Sequence, residues 1–135
     1  MSSLTKYRMV ETGVLHLKDA AGEPMYADGA DGKPDLSKPM RWHGYGPGSK
    51  QYAKALNAKQ NHYVDLNNRK GKMKESVGEA ALTNAEYLAT CTERLENIDE
   101  SPIEVFMDQQ LSFIRDQIAE FQKETGNFTP GLPKP

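Results

Sequence analysis

The sequence predicts a mainly α fold, with a small N-terminal antiparallel β element followed by a bundle of three to four helices. Three observations carry this. Residues 83–128 hold two helix-start signatures, each followed by apolar residues at steps of three and four. A third helical run follows Ser49. The short β-prone runs, broken by Gly, Pro and Asp, are confined to the first 48 residues. At 135 residues the chain suits one domain, read as a lead-in (1–12), a β/turn-rich part (13–48), a helical part (49–128) and a flexible tail (129–135).

Taken in order, Val14–Lys18 reads as a strand, Asp19–Pro24 as a turn and Met25–Ala27 as a return strand. Asp28–Pro34 is a second turn-rich stretch, and Pro39–Tyr45 a third strand with aromatic content. A hairpin alone is marginal in water, so this element must lean on a helix or a partner, and Trp42 is the residue to do it. The run Gly44–Lys50 is glycine-rich but not a phosphate loop: Ser49 precedes Lys50 instead of following it, and Pro47 removes a backbone donor. It reads instead as a break followed by an N-cap at Ser49 and a helix from Lys50 to Asn68, with Tyr52, Leu56, Tyr63 and Leu66 on one face.

Residues 69–82, with Gly71 and Gly78, read as a flexible connector with at most a turn of helix. Thr83 and Glu86 form a capping box for a helix whose stripe is Leu88, Cys91, Thr92, Leu95 and Ile98, closing at Asn97–Asp99. Ser101 and Glu104 form a second box, with Pro102 at the first helical position. Met107, Leu111, Ile114, Ile118 and Phe121 then recur in steps of four, three, four and three, close to a heptad seam. A break near Gln109-Gln110 would split this helix; Gly126 is its expected C-cap.

The net charge of -2 is unevenly spread. Residues 49–82 carry seven basic and three acidic side chains, and residues 83–135 carry four basic and ten acidic. Such asymmetry steers partners, joins copies head to tail, or is neutralised within one monomer, the plainest of the three. Basic residues near Tyr52 and Tyr63 are ingredients of a nucleic-acid surface, but the chain is slightly acidic overall and carries no recognised binding motif, so no nucleic acid is expected. No apolar run reaches membrane-spanning length, and MSSLTKYRMVETG lacks the apolar core of a secretory signal. The single Cys91 reads as a small buried hydrophobe. His16, His43 and His62 are scattered, and no nucleophile–base pair or ligand set is visible. The expectation is a non-enzyme without metal or cofactor.

Three places carry a resemblance: LKDAAGEPM (17–25), with an Asp-x-x-Gly-x-Pro turn; the aromatic strand leading into GYGPGSKQY (44–52); and LATCTERLENID (88–99) with its acidic turn, helix and terminal DQIAEFQKETGNF (116–128). In this order the chain resembles the tail assembly chaperone family of long-tailed (siphovirus-type) bacteriophages, with Leu95 where that pattern has Trp. The resemblance implies a non-enzymatic protein of the host-cell cytoplasm. It would bind the tape measure protein, keep its hydrophobic helices soluble and recruit tail tube protein. Members of the family are often also made in a longer, frameshifted form, and TPGLPKP (129–135) suits either an extendable end or an ordinary frayed one.

For such binding the candidate residues are Met107, Leu111, Ile114, Ile118 and Phe121, gripping an amphipathic helix, together with Trp42. The plainer reading of the seam is burial against the chain's own helices, and both hold if copies assemble into a homo-oligomer. A structural virion component, such as a minor tail or head–tail connector protein, is the competing class. A nucleic-acid-binding accessory protein using residues 50–74 is the third.

Overall fold

The computed structural model describes residues 3–68 and 76–130. After a 3-10 turn at Ser3–Tyr7 come strands β1 (Thr12–His16), β2 (Tyr26–Asp28), β3 (Pro34–Pro39) and β4 (Arg41–Tyr45). Helix α1 (Lys50–Asn68), helix α2 (Val77–Thr90), strand β5 (Thr92–Glu96), helix α3 (Pro102–Met107) and helix α4 (Ser112–Lys123) follow. The last two helices are separated by a 3-10 turn at Gln109–Leu111, and another closes the core at Thr125–Phe128.

The fold is mixed α/β, with 52% helix and 22% strand, and this corrects the mainly α expectation. One antiparallel sheet has the order β1-β4-β5, and β2 and β3 form a second, two-stranded ribbon. The overturning element is β5. Thr92–Glu96 was expected to continue a helix, but α2 ends at Thr90 and the chain pairs with β4, with Leu95 opposite Trp42 and Arg94 opposite His43. Thr92 makes the switch: its hydroxyl donates to the Leu88 carbonyl at 2.7 Å and accepts the Trp42 indole N–H at 2.9 Å. Asn97 then takes a positive φ of 61° and donates its amide to the Pro39 carbonyl. A three-to-four spacing of apolar residues is compatible with a helix, but cross-strand pairing with β4 supplied the stronger partner.

The expected helix start at Thr83 is also displaced. α2 begins at Ser76, whose hydroxyl accepts the Glu79 N–H, and Ser76-Val77-Gly78-Glu79 carries the same Ser-x-x-Glu signature seven residues earlier. Thr83 lies inside the helix, donating back to the Glu79 carbonyl. Of the connector expected at 69–82, residues 69–75 lie outside the described residues and 77–82 are helical.

Other elements fall where expected. Ser49 caps α1 through Tyr52 N at 3.1 Å while its own hydroxyl donates to the Gly46 carbonyl. Ser101 caps α3, its hydroxyl also donating to Glu104. The break near Gln109 is real: Asp108 accepts from Gln110 N, and Arg115 spans the break to the Phe106 carbonyl and the Gln109 side chain. Gly126 does not cap α4; it sits in the closing 3-10 turn, and Asn127 donates to the Phe121 carbonyl in its place.

In the β part, Asp19 closes its turn by accepting from Ala21 N and Glu23 N, with Gly22 at a positive φ of 87°. β1 pairs with β4 and β2 with β3, and the hairpin expected between 14–18 and the return strand is present only at its turn end, where Lys18 bridges Pro24 and Met25 N donates to the Leu17 carbonyl. β3 lies between the turn and the third strand expected from the sequence and is bounded by Pro34 and Pro39; at the ends of a two-stranded ribbon neither costs a ladder bond the sheet depends on.

The core gathers Leu17, Trp42, Ala85, Leu88, Val105, Phe106, Ile114 and Ile118. Trp42 meets Phe121 edge-on at 5.9 Å between centroids, and Phe121 meets the buried Phe128 at 5.5 Å. The glycines of the rejected phosphate loop make room for these rings. A Cβ on Gly44 would lie 1.9 Å from the Trp42 ring, and one on Gly46 2.4 Å from Phe128.

Candidate protein-binding surface

The expected binding residues are mostly spent inside the chain. Trp42, Ile114 and Ile118 are buried, so no partner touches their side chains in the folded protein. Leu111 and Phe121 are half-buried and pack against the same core. Met107 alone of the six is more exposed, at 40%. The break at Gln109–Leu111 interrupts the seam, so the six residues form no continuous outward stripe.

The segments that carry the family resemblance converge instead. Lys18 and Gln117 exchange two hydrogen bonds of 2.8 Å across 99 positions. Tyr45 N donates to the Cys91 carbonyl, and Gln122 donates to the Tyr45 carbonyl. Val10 N donates to the Phe128 carbonyl. Cys91 is buried there; burial pushes its thiol above the ordinary range, against a hydrogen bond with Gln122 that lowers it. A protonated, enclosed thiol is a packing group, not a nucleophile.

Exposed apolar residues stand singly at Leu4, Tyr7, Leu36 and Val77, and as a group on α1, at Leu56, Tyr63 and Val64. This helix has 19 residues, about 28 Å at 1.5 Å per residue, and buries only Ala55 fully. Its packing neighbour is α2. Tyr52, Leu56, Lys59, Tyr63 and Leu66 recur in steps of four, three, four and three. Tyr52 and Lys59 turn toward α2: the Tyr52 and Tyr87 rings meet at 6.2 Å, and the Lys59 ammonium sits 4.8 Å over the Tyr87 ring. Burial, and then the hydrogen bond with Tyr52, push the Tyr87 hydroxyl above its ordinary range, so it stays a neutral donor. Leu56 and Tyr63 remain 37% and 41% exposed. They form one wall of a groove of about 400 Å³ whose other wall is Ala119, Gln122 and Lys123 of α4, with Tyr87 lining it from α2. The sequence showed this stripe, but only the structure shows that, among the described residues, its Leu56–Tyr63 flank is left partly uncovered.

A second polar cluster lies on the sheet. His43 Nε2 and Glu96 Oε1 are 2.6 Å apart, and Arg41 approaches the other Glu96 oxygen at 3.6 Å. The His43 hydrogen bond, aided by Arg41 and Arg94, holds the Glu96 carboxyl below its usual range. The three histidines stay apart: His16 bonds the Met25 carbonyl beside Tyr26, and His62 lies against Tyr63. Among the described residues no group of three His, Cys, Asp or Glu side chains is placed to hold a metal, and no helix is long and apolar enough to cross a membrane.

No family model, no curated protein and no solved structure matches this chain. The resemblance to tail assembly chaperones therefore rests on the quoted segments themselves.

Proposed function

We propose that this chain is a tail assembly chaperone of a long-tailed bacteriophage, which binds the tape measure protein in the host cytoplasm, keeps it soluble and helps recruit tail tube subunits. The observation that supports this reading is the convergence of the resembling segments: the turn after Leu17, the Gly44–Tyr52 stretch, Leu88–Asp99 and the Asp116–Phe128 end bond to one another around Trp42 and Phe128. In this reading the motifs specify the scaffold, the chain works without chemistry of its own, and the partner surface lies elsewhere, on the helices that the core leaves exposed.

The test is co-expression with the tape measure protein of the same genome, followed by affinity capture and sizing. A soluble complex that precipitates when this chain is withheld is the expected result. A tape measure protein that stays soluble alone and ignores this chain overturns the reading, as does finding the chain at fixed stoichiometry in purified mature particles, which makes it a structural virion component.

A further inference from the structure

We propose that the groove between α1 and α4 is the receptor for one amphipathic helix of another polypeptide, seated with its apolar stripe on Leu56 and Tyr63 and its carboxylates against Lys59 and Lys123. The inference rests on the reading of this chain as a protein-binding one and adds where the partner sits and what it must look like.

The spacing asks for a helix. Leu56 and Tyr63 are seven residues apart, two turns or about 10 Å along the axis, which is the repeat a second helix presents through its own heptad positions. A four-three seam packs with a partner helix nearly parallel or antiparallel, at about 20°. In this chain α2 takes one flank of that seam through Tyr52 and Lys59, and α4 stands off from the other, leaving Leu56 and Tyr63 open. A third helix laid in the gap would touch α1, α4 and Tyr87 together. Tyrosines suit such a seat, because each offers a large rigid face and a hydroxyl that bonds at the rim.

The charge asks for an acidic flank. Among the described residues, none of the nine that line the groove is a carboxylate, and two are lysines. The Lys59 ammonium is held in place over the Tyr87 ring, and Lys123 is 72% exposed in its side chain, in a weak, exposed pair with Glu120 at 3.8 Å. The carboxylates of the C-terminal third lie outside the groove lining, so the groove is a cationic apolar strip on a protein of net negative charge. A helix with glutamates beside its leucines meets both requirements; one with lysines there meets the first and is repelled by the second.

The test uses the full chain, isotope-labelled, and two synthetic helical peptides with identical leucine heptads, one flanked by glutamate and one by lysine. The glutamate peptide is expected to shift the amide signals of residues 56, 63, 87 and 119 and to bind at least tenfold more tightly than the lysine peptide. Leu56→Glu is expected to abolish the shifts, and Lys123→Glu to remove the preference; Lys123 is exposed and its variant should melt unchanged, while Leu56→Glu is read on a chain shown by cooperative melting to be folded. Equal binding of the two peptides, shifts elsewhere, or no shifts at all overturns the proposal. So do concentration-dependent shifts of the same residues without peptide, which put a second copy of the chain in the groove. Tape measure capture separates the two readings: if the wild type captures it and Leu56→Glu captures it equally, the groove assignment fails and the chaperone reading stands; if the peptides bind as described and the tape measure protein does not, the chaperone reading fails alone.

Discussion

α4 and α1 both carry an apolar stripe at helical spacing, broken on α1 by Lys59, yet α4 sends Ile114 and Ile118 into the core while α1 keeps Leu56 and Tyr63 at the surface. The difference lies in their neighbours. α4 is tied to the rest of the chain by Phe121 against Trp42, by Gln117 to Lys18 and by Gln122 to Tyr45. α1 leans on α2 and is anchored at its start by Ser49. An apolar stripe states that a face seeks cover; which molecule supplies the cover depends on what the rest of the fold brings to it.

The sharpest way to break this comparison is Ile114→Asp. An unpaired carboxylate at a position 3% exposed should unfold the chain, seen as loss of cooperative melting by far-UV circular dichroism. If a folded, cooperative protein survives, α4 is not the buried partner described here. Trp42→Ala, at the meeting point of sheet and helices, should lower the unfolding free energy by about 3–5 kcal/mol in urea titration. Ser49→Ala removes the cap of α1 and the bond to Gly46, and should cost about 1–2 kcal/mol by the same titration.

The Glu96 cluster gives a pH-dependent contrast. Its carboxyl is held below the usual glutamate range in the folded chain, so its stabilising contribution is present above the unfolded pKa and is lost as pH falls through the lowered folded value. Urea midpoints of wild type and Glu96→Gln should differ most at neutral pH and converge as the pH falls below the ordinary glutamate range. A gap that does not depend on pH would assign the effect to packing. The smallest effect belongs to α1: Val64→Lys, at a site 57% exposed, should change stability by no more than about 0.5 kcal/mol in the same titration.

Local signals read well where one residue type answers one need. Ser49, Ser101 and Pro102 mark true helix starts, and Asp19 with Gly22 marks a true turn, because capping and tight turns are settled within a few residues. β5 was not legible: nothing within Thr92–Glu96 says that a strand lies 50 positions upstream with an indole to share. The Ser76 cap is masked in the sequence, since its Ser-x-x-Glu pattern follows a basic stretch that reads as a linker. The candidate site was half legible. Tyr52, Leu56 and Tyr63 stand on one face in any helical reading, but Tyr87 and Ala119 join them only through the packing of three helices.

The position of β4 between β1 and β5 also sets the order in which the chain can mature. Neither hairpin-like partner is next to it: Trp42 pairs with Leu15 on one side, and on the other His43 bonds Glu96 across 53 positions. As the polypeptide leaves the ribosome, β1 and β4 emerge early with the third strand of their sheet missing, and Trp42 has neither Thr92 nor Phe121 to meet. Closing these distant pairings is the slow, entropically costly part of folding. The sheet therefore completes only after β5 has been made, and Trp42 meets Phe121 only once α4 has followed; a nascent chain stalled before residue 92 exposes the Trp42 face to every other sticky surface in the cell.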